Sequence, residues 1–197
     1  EYILQSTWSN PMTNKLLLEG GFTFYNERWI FGPEPYNVTG YGPDAVISKT
    51  ESSLGITYGA NNVFTTAYNH QYNLRAAANY VTGSHAFKVG IQQMWGTRQY
   101  SYDTNQAQAW TLNRGIPTTI TEYARPLIDL EKLKAALGLY AQDRWTVGRL
   151  TLNYGVRFDY HNAYVPAQNL AAIPFVAGRQ YDPISNVPNW KDITPRV

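Results

Sequence analysis

The sequence has no cysteine, little charge and no long apolar run, and each of these absences excludes a class of protein. Without cysteine the chain has neither a disulfide framework nor a thiolate metal site. No run approaches the about 18 consecutive apolar residues of a transmembrane helix. The net charge is only +2 and lysine and arginine do not cluster, so nothing in the composition favours nucleic-acid binding.

Aromatic and uncharged polar residues take the place of the missing charge. The 197 residues include 16 tyrosines, 6 tryptophans and 7 phenylalanines, and charged residues make up 15%, against about 25% in a typical soluble domain. Such a composition is typical of strands with one apolar and one wet face. No basic segment followed by an apolar segment opens the chain, so we expect no signal peptide and a natural N-terminus further upstream.

The clearest pattern is a strict apolar/polar alternation between Leu150 and His161. One face would carry Leu150, Leu152, Tyr154, Val156 and Phe158, and the other Thr151, Asn153, Gly155, Arg157 and Asp159. A period of two predicts a β-strand, and the length matches the about 9–11 residues with which a strand crosses a membrane.

Two similar runs, Tyr72–Thr82 and Ala86–Trp95, flank Gly83–Ser84 and predict a hairpin. A glycine in the first position of a two-residue turn suits a tight hairpin. Pairing Thr82 with His85 places the apolar partners on one face. The polar pairs on the other face would be Asn79 with Lys88 and Arg75 with Gln92. A shift of one residue would destroy this agreement, so the register is well defined.

A second hairpin is predicted to turn at Val147–Gly148, with Trp145 opposite Leu150. The polar face of this hairpin would pair Gln142 with Asn153, Arg144 with Thr151, and Tyr140 with Gly155, an aromatic ring covering a strand glycine. Asp143 is expected on the apolar face near the membrane edge, where an acidic residue costs little. Leucines at helical spacing in Leu127–Leu137 leave a short helix before Lys134 as an alternative.

The connections between strand-like runs alternate between short and long. Two earlier runs are Glu1–Trp8 and Leu16–Glu27. The short connections are 9–14, 83–84 and 147–148, and the long ones are 30–71, 100–126 and the tail from 161. Within the long connections, 106–114 and 116–125 predict a hairpin broken at Gly115, and 53–58 predicts another short strand. Aromatic residues near the short turns (Trp8, Tyr80, Trp145) and near the long loops (Trp29, Trp95, Tyr160) indicate two interfacial girdles.

Short turns on one side and long loops on the other are typical of a transmembrane barrel. We predict an all-β fold, an antiparallel up-and-down transmembrane β-barrel segment with about six spanning strands and strand-like pieces in the extracellular loops. Residues 1–197 would form one partial barrel domain. A soluble β-sandwich or solenoid with irregular loops is the alternative, although neither requires this alternation.

Catalytic motifs are not found in the sequence. It contains no nucleophile elbow, zinc-protease helix or phosphate-binding glycine loop, its three histidines are isolated, and a glycosylation sequon at 37–39 is expected by chance. We therefore expect no enzyme activity, metal or cofactor. The residues predicted to face the barrel lumen are Arg75, Asn79, Lys88, Gln142, Arg144, Asn153, Arg157 and Asp159. The opposite face is expected to contact outer-membrane lipid.

The second hairpin resembles the barrel of TonB-dependent receptors. There an aromatic-x-Gln-Asp-x-Trp strand precedes a Leu-Asn-x-Gly-x-Arg-x-Asp strand, and Leu139–Trp145 and Leu150–Asp159 match these motifs. Three further segments resemble the Oar-like branch, whose members have an N-terminal carboxypeptidase-regulatory-like domain. They are Tyr80–Gly90, Arg114–Pro117 and Pro188–Arg196. The resemblance covers most of the chain from about Gln71 onward.

The resemblance implies a barrel of ~22 strands around a plug, located in the bacterial outer membrane and energised by TonB to take up an unknown extracellular ligand. Its implied partners are its own plug domain and the TonB complex, reached through an N-terminal region that this sequence lacks. The chain is therefore expected to be a fragment. Two alternatives are a barrel segment of a non-transporting adhesin or secretion-related protein and, with less support, a soluble carbohydrate-binding β-domain.

Overall fold

The computed structural model describes residues 1–32, 46–61, 63–104, 106–173 and 176–197. The predicted sequon at 37–39 lies outside these ranges. No helix among the described residues is long and apolar enough to cross a membrane. The strands of the described residues are β1 (Tyr2–Pro11), β2 (Leu16–Phe31), β3 (Ser48–Glu51), β4 (Ile56–Tyr58), β5 (Phe64–Thr82), β6 (His85–Asp103), β7 (Gln108–Asn113), β8 (Ile116–Glu122), β9 (Leu127–Val147), β10 (Leu150–Val165), β11 (Gln168–Leu170), β12 (Arg179–Tyr181) and β13 (Ile184–Arg196).

Seven strands form one antiparallel sheet in the order β1-β2-β5-β6-β9-β10-β13. Short turns at 12–15, 83–84 and 148–149 lie at one end of this sheet, and three long connections lie at the other. The predicted all-β, up-and-down organisation is confirmed. β2 and β5 are longer than predicted, so the first long connection runs only from 32 to 63. The sheet does not close into a barrel within the described residues.

The hairpin between β5 and β6 has the predicted register. Thr82 pairs with His85, and Asn79 pairs with Lys88. Gly83 has a positive φ of 54°, a conformation that glycine adopts without steric penalty. We call the side that carries Val89, Ile91, Leu139, Val156 and Phe158 the apolar face of the sheet, and the opposite side the polar face.

The predicted register of the β9–β10 hairpin is wrong by two residues. Leu150 pairs with Val147, and the turn is Gly148–Arg149. The reason is that Gly148, with a φ of 59°, occupies the first turn position, as Gly83 does in the other hairpin. A shift of two residues leaves every side chain on its predicted face. It does change the partners: Gly155 pairs with Gln142, and Tyr140 pairs with Gly90 instead.

β9 is a strand over its whole length, so the helical alternative before Lys134 is wrong. Its first half pairs with β6, from Tyr102↔Leu127 to Gly96↔Leu133. The ladder shifts register around Lys134 against both neighbouring strands. Pairing on both sides outweighs the helix propensity of the leucine-rich segment, because local propensity is weak compared with tertiary pairing.

β13 is the strand that the alternation did not predict. It contains Pro188 and Pro195, which have no N–H to give to a ladder, yet it pairs with β10 from Gly155↔Arg196 to Val165↔Ile184. Asn162, only 1% exposed, fills the register irregularity in this pair. Its side-chain amide donates to the side chain of Asn186 at 2.8 Å.

Asp143 lies on the apolar face, as predicted, and its carboxylate is bound by neighbouring groups. Its carboxylate is bonded to His85 Nδ1 at 2.6 Å and accepts from the Tyr154 hydroxyl at 2.8 Å and the Ala86 amide at 3.2 Å. The residue is 5% exposed. Three partners therefore replace the hydration that the carboxylate loses on burial.

Aromatic rings lie in rows across the apolar face at both ends of the sheet. Near the long loops, Phe24, Tyr72 and Trp95 stack in sequence, with centroid separations of 4.8 and 5.4 Å. Near the short turns, His85 stacks between Phe87 and Trp145 at 5.3 and 5.5 Å. One face thus carries two aromatic rows, and the predicted girdle residues Trp95 and Trp145 lie in them. Trp29, expected in the girdle near the long loops, instead shares the polar face with Glu27 and packs edge-on against Tyr100.

A substitution at Val156 tests which face of the sheet contacts lipid. It lies between the two girdles, pairs with Ala141 and is 49% exposed. In the full-length protein, Val156→Arg is expected to lower the free energy of unfolding by about 2–4 kcal/mol, the cost of a cation near the bilayer midplane. Denaturant unfolding in lipid vesicles measures this. The control is Gln142→Arg on the polar face at the same level, which should change stability little. Equal losses from the two variants would contradict the assigned faces.

A small epitope tag tests the direction of the sheet. The stretch 40–44 of the first long connection, a predicted extracellular site, lies outside the described residues, so Gly55 in the β3–β4 turn is a better insertion point. In the full-length protein on intact cells, antibody should bind a tag after Gly55 and not one after Gly83. The reverse pattern would invert the orientation, and labelling of both would contradict a membrane-spanning sheet.

Candidate functional site

All eight residues predicted to face the lumen lie on the polar face. Cross-strand pairs establish this. Asn79 pairs with Lys88 and Lys88 with Gln142. The other pairs on this face are Arg75–Gln92, Gln92–Gly138, Gly138–Asp159 and Arg144–Asn153, and Arg157 is two residues from Asp159 on β10.

Two groups of polar side chains organise this face. In the first, Glu19 accepts a hydrogen bond from the Asn79 side chain at 2.7 Å and lies 3.9 Å from Lys88 Nζ. In the second, Arg157 Nε lies 2.8 and 2.9 Å from the two carboxylate oxygens of Asp159. Arg157 and Asp159 are 41% and 40% exposed. Because ion pairs in such wet surroundings add little to stability, this pair mainly fixes where the guanidinium lies.

Long side chains on the polar face lie flat over glycines of neighbouring strands. A Cβ built on Gly138 would lie 2.9 Å from Arg157 Cζ, and one on Gly21 would lie 3.1 Å from Arg75 Cγ. Tyr140 covers Gly90 in the same way. The absence of a Cβ at these glycines lets charged and aromatic groups rest on the sheet instead of projecting from it. The polar face therefore keeps its hydrogen-bonding groups close to the backbone, and we call it a low wall for this reason.

Two adjoining cavities of about 490 and 470 Å³ lie against this wall. Both are lined by Gln92 and Arg157. Arg75, Asp159 and His161 are among the other polar residues that line the first, and Lys88, Gln142 and Arg196 are among those that line the second. Cavities of this size are typical of sites for small molecules or for protruding side chains of a packed partner.

His161 is part of the same wall. Its ring lies 5.9 Å from the ring of Trp190 on β13, and it lines the first cavity. No group of three or more potential ligand side chains with a metal-binding arrangement occurs among the described residues.

The two long connections β2–β5 and β6–β9 meet in a second sheet of order β4-β3-β7-β8, which we call the loop sheet. β3 and β7 pair in parallel, from Ser48↔Ala109 to Glu51↔Leu112. The predicted hairpin at Gly115 is present as β7–β8. The predicted strand at 53–58 begins only at Ile56, because 52–55 form a turn. The sequence predicts two separate connections, and the structure joins them through the β3–β7 pair.

Glu51 holds the two connections together. Its carboxylate accepts hydrogen bonds from the amides of Arg114 and Gly115, both at 2.8 Å, and from the amide and hydroxyl of Ser53 at 3.0 and 2.5 Å. The residue is 6% exposed. The Ser53 hydroxyl and the Gly115 amide are the main causes that lower the pKa of Glu51 to about 2. The sequence gives no sign of this role, because two of the partners, Arg114 and Gly115, lie more than 60 positions away.

Removing the Glu51 carboxylate should loosen the loop sheet and leave the seven-stranded sheet intact. Glu51→Ala leaves the amides of Arg114 and Gly115 without their acceptor, and an unpaired buried donor is costly. Trypsin cleavage after Arg114 in the full-length protein should become severalfold faster. Glu122→Gln, an exposed change in the same sheet, is the control. Unchanged cleavage in Glu51→Ala would contradict the clamp.

The same clamp should respond to acid. The pKa of Glu51 is lower in the folded chain than its ordinary value of 4.5, so its stabilisation is complete above that value. It is lost as the pH falls from about 4.5 towards about 2. Wild-type protein should therefore become more sensitive to pepsin at the 114–115 turn over this range. Glu51→Gln should show little pH dependence at that turn.

A comparison with known families identifies the chain. The family described as TonB dependent receptor-like, beta-barrel matches residues 3–197. No protein with a curated description matches the chain, and no solved structure matches it. The match covers nearly the whole sequence, and a β-barrel family agrees with the antiparallel sheet, its short turns and its two faces. Membership of the Oar-like branch stays a prediction. The chain belongs to the TonB-dependent receptor family, as part of its β-barrel domain.

Proposed function

We propose that this chain forms part of the wall of an outer-membrane receptor that binds an extracellular ligand and takes it up in a TonB-driven step. The observation that supports this most is the polar face, a low wall with two adjoining cavities. Family membership implies a plug domain, the TonB complex and a ligand as partners, and the bacterial outer membrane as location. The eight polar-face residues are then lumen residues.

The low wall suits a removable plug. Because Arg75 and Arg157 lie flat over glycines, they leave space in the interior and still present donors to a packed surface. Exposed polar contacts of this kind are individually weak, so a plug held by them can shift when it is pulled. We propose that Arg157, Asp159 and Gln92 contact the plug or the passing ligand, without any chemical change of that ligand.

Two alternatives use other features of the molecule. An adhesin would bind through the loop sheet, which exposes Leu54, Ile116 and Ile120 at 60–69%. A soluble carbohydrate-binding domain is less well supported, because the apolar face leaves Val89 and Val156 about half exposed. A soluble monomer rarely tolerates so continuous an apolar surface.

Growth on defined nutrients separates uptake from adhesion. Cells with and without the full-length receptor are grown on single glycans, iron chelates or peptides, in the presence or absence of a working TonB system. Uptake predicts at least one nutrient on which growth needs both the receptor and TonB. On that nutrient, Arg157→Gln should slow uptake severalfold, whereas Arg149→Gln in a short turn should not. Receptor-dependent attachment that survives loss of TonB, with no such nutrient, would favour the adhesin.

A further inference from the structure

Charge is sorted between the two faces at the long-loop end of the seven-stranded sheet. Arg28, His70, Lys132 and Lys191 lie on the apolar face, whereas Glu27, Asp129 and Glu131 lie on the polar face with Arg98. Cross-strand pairs establish these positions. Arg28 pairs with Tyr68, and Lys191 pairs with Tyr160. His70 and Lys132 both pair with Thr97, one from each neighbouring strand. The three long cations lie within three to seven residues of the long-loop ends of their strands.

Acidic residues are nearly absent from the apolar face of the seven strands, all of which are described. One is Asp143, at the opposite end, where His85 and Tyr154 bind it. The other is Asp103, at the tip of β6, which lies 3.5 Å from Arg125. Neither lies at the level of the basic residues. The apolar face is therefore positively charged at its long-loop end.

The polar-face acids do not neutralise these cations through the sheet. Glu27 accepts a hydrogen bond from Asn69, and Asp129 and Glu131 lie 3.1 and 3.3 Å from Arg98 on their own face. Arg28, Lys132 and Lys191 make no ion pair with any described residue. They are thus cations without a counter-charge from the described part of the chain.

Aromatic rings near the long-loop end of the apolar face hold two of these cations. The guanidinium of Arg28 lies 5.3 Å from the centre of the Tyr68 ring, and Lys191 Nζ lies 5.9 Å from that of Tyr160. Cation–π contacts of this kind orient a charge without neutralising it. Interfacial aromatic rings lie at the level of lipid head groups, so the cations lie at that level too.

We propose that Arg28, Lys132 and Lys191 form a band that binds the phosphate groups of anionic lipids in the leaflet on the long-loop side. Arginine and lysine are the side chains that bind phosphate best, and a lysine or arginine near a charged lipid surface contributes about a factor of five in affinity. Five strand spacings of about 4.8 Å separate β2 from β13, so the band is ~24 Å wide. It therefore contacts several lipids. The inference rests on the proposed membrane location and not on transport.

Lipid retention by the purified full-length receptor tests the band. The receptor is exchanged into phosphatidylcholine nanodiscs that contain bisphosphorylated or fully dephosphorylated lipid A, and bound lipid is counted by native mass spectrometry. Wild type should retain the bisphosphorylated form preferentially. The triple variant Arg28→Gln, Lys132→Gln, Lys191→Gln should bind it on the order of a hundredfold more weakly, the product of three factors of about five. Soluble inorganic phosphate should not displace the lipid.

Lys15→Gln with Arg149→Gln is the matched control, because it removes two exposed cations from the short turns at the opposite end. This variant should retain the lipid as wild type does. Equal retention of phosphorylated and dephosphorylated lipid by wild type would overturn the proposal, whatever the variants do. Unchanged retention in the triple variant would overturn it as well. Neither result depends on TonB, so both are distinct from failure of the uptake hypothesis.

Discussion

The backbone hydrogen bonds of the seven-stranded sheet are the constraint on which the rest of the structure depends. In hydrocarbon there is no water to satisfy an N–H or C=O group, so each spanning segment must pair fully with its neighbours. Pairing fixes the strand geometry, and the strand geometry sends successive side chains to opposite faces. The composition follows from this, because half of each strand must be apolar while the other half can be polar.

The same constraint determines how polar groups are accommodated on each face. On the apolar face, Asp143 is tolerated because His85 on the next strand and Tyr154 on the other side bind it. On the polar face, glycines such as Gly138 and Gly90 make room for Arg157 and Tyr140 to lie against the sheet. In both cases the partner sits across a strand pair. Register therefore decides whether a polar residue is satisfied.

The sequence was a reliable guide wherever the information was periodic. All eight predicted polar-face residues share one face because period two survives an error of two residues, as the β9–β10 hairpin shows. It was a poor guide where a contact joins distant segments. The parallel pairing of β3 with β7 leaves no local trace, and neither do the bonds from Glu51 to Arg114 and Gly115. β13 was missed for another reason, since its prolines obscure the alternation.

Charge adds to hydrophobicity in defining the register of β9. At its long-loop end the residues Asp129, Leu130, Glu131 and Lys132 alternate between the faces, with both acids beside Arg98 on the polar face. A slip of one residue would turn both carboxylates onto the apolar face and separate them from this arginine, while Lys132 would leave the proposed lipid-binding band. Hydrophobicity alone would disfavour such a slip only weakly in this leucine-rich strand, because Leu130 and Leu133 would exchange faces at little cost. The distribution of charge between the two faces therefore favours one register of β9. It also favours different binding partners on the two faces.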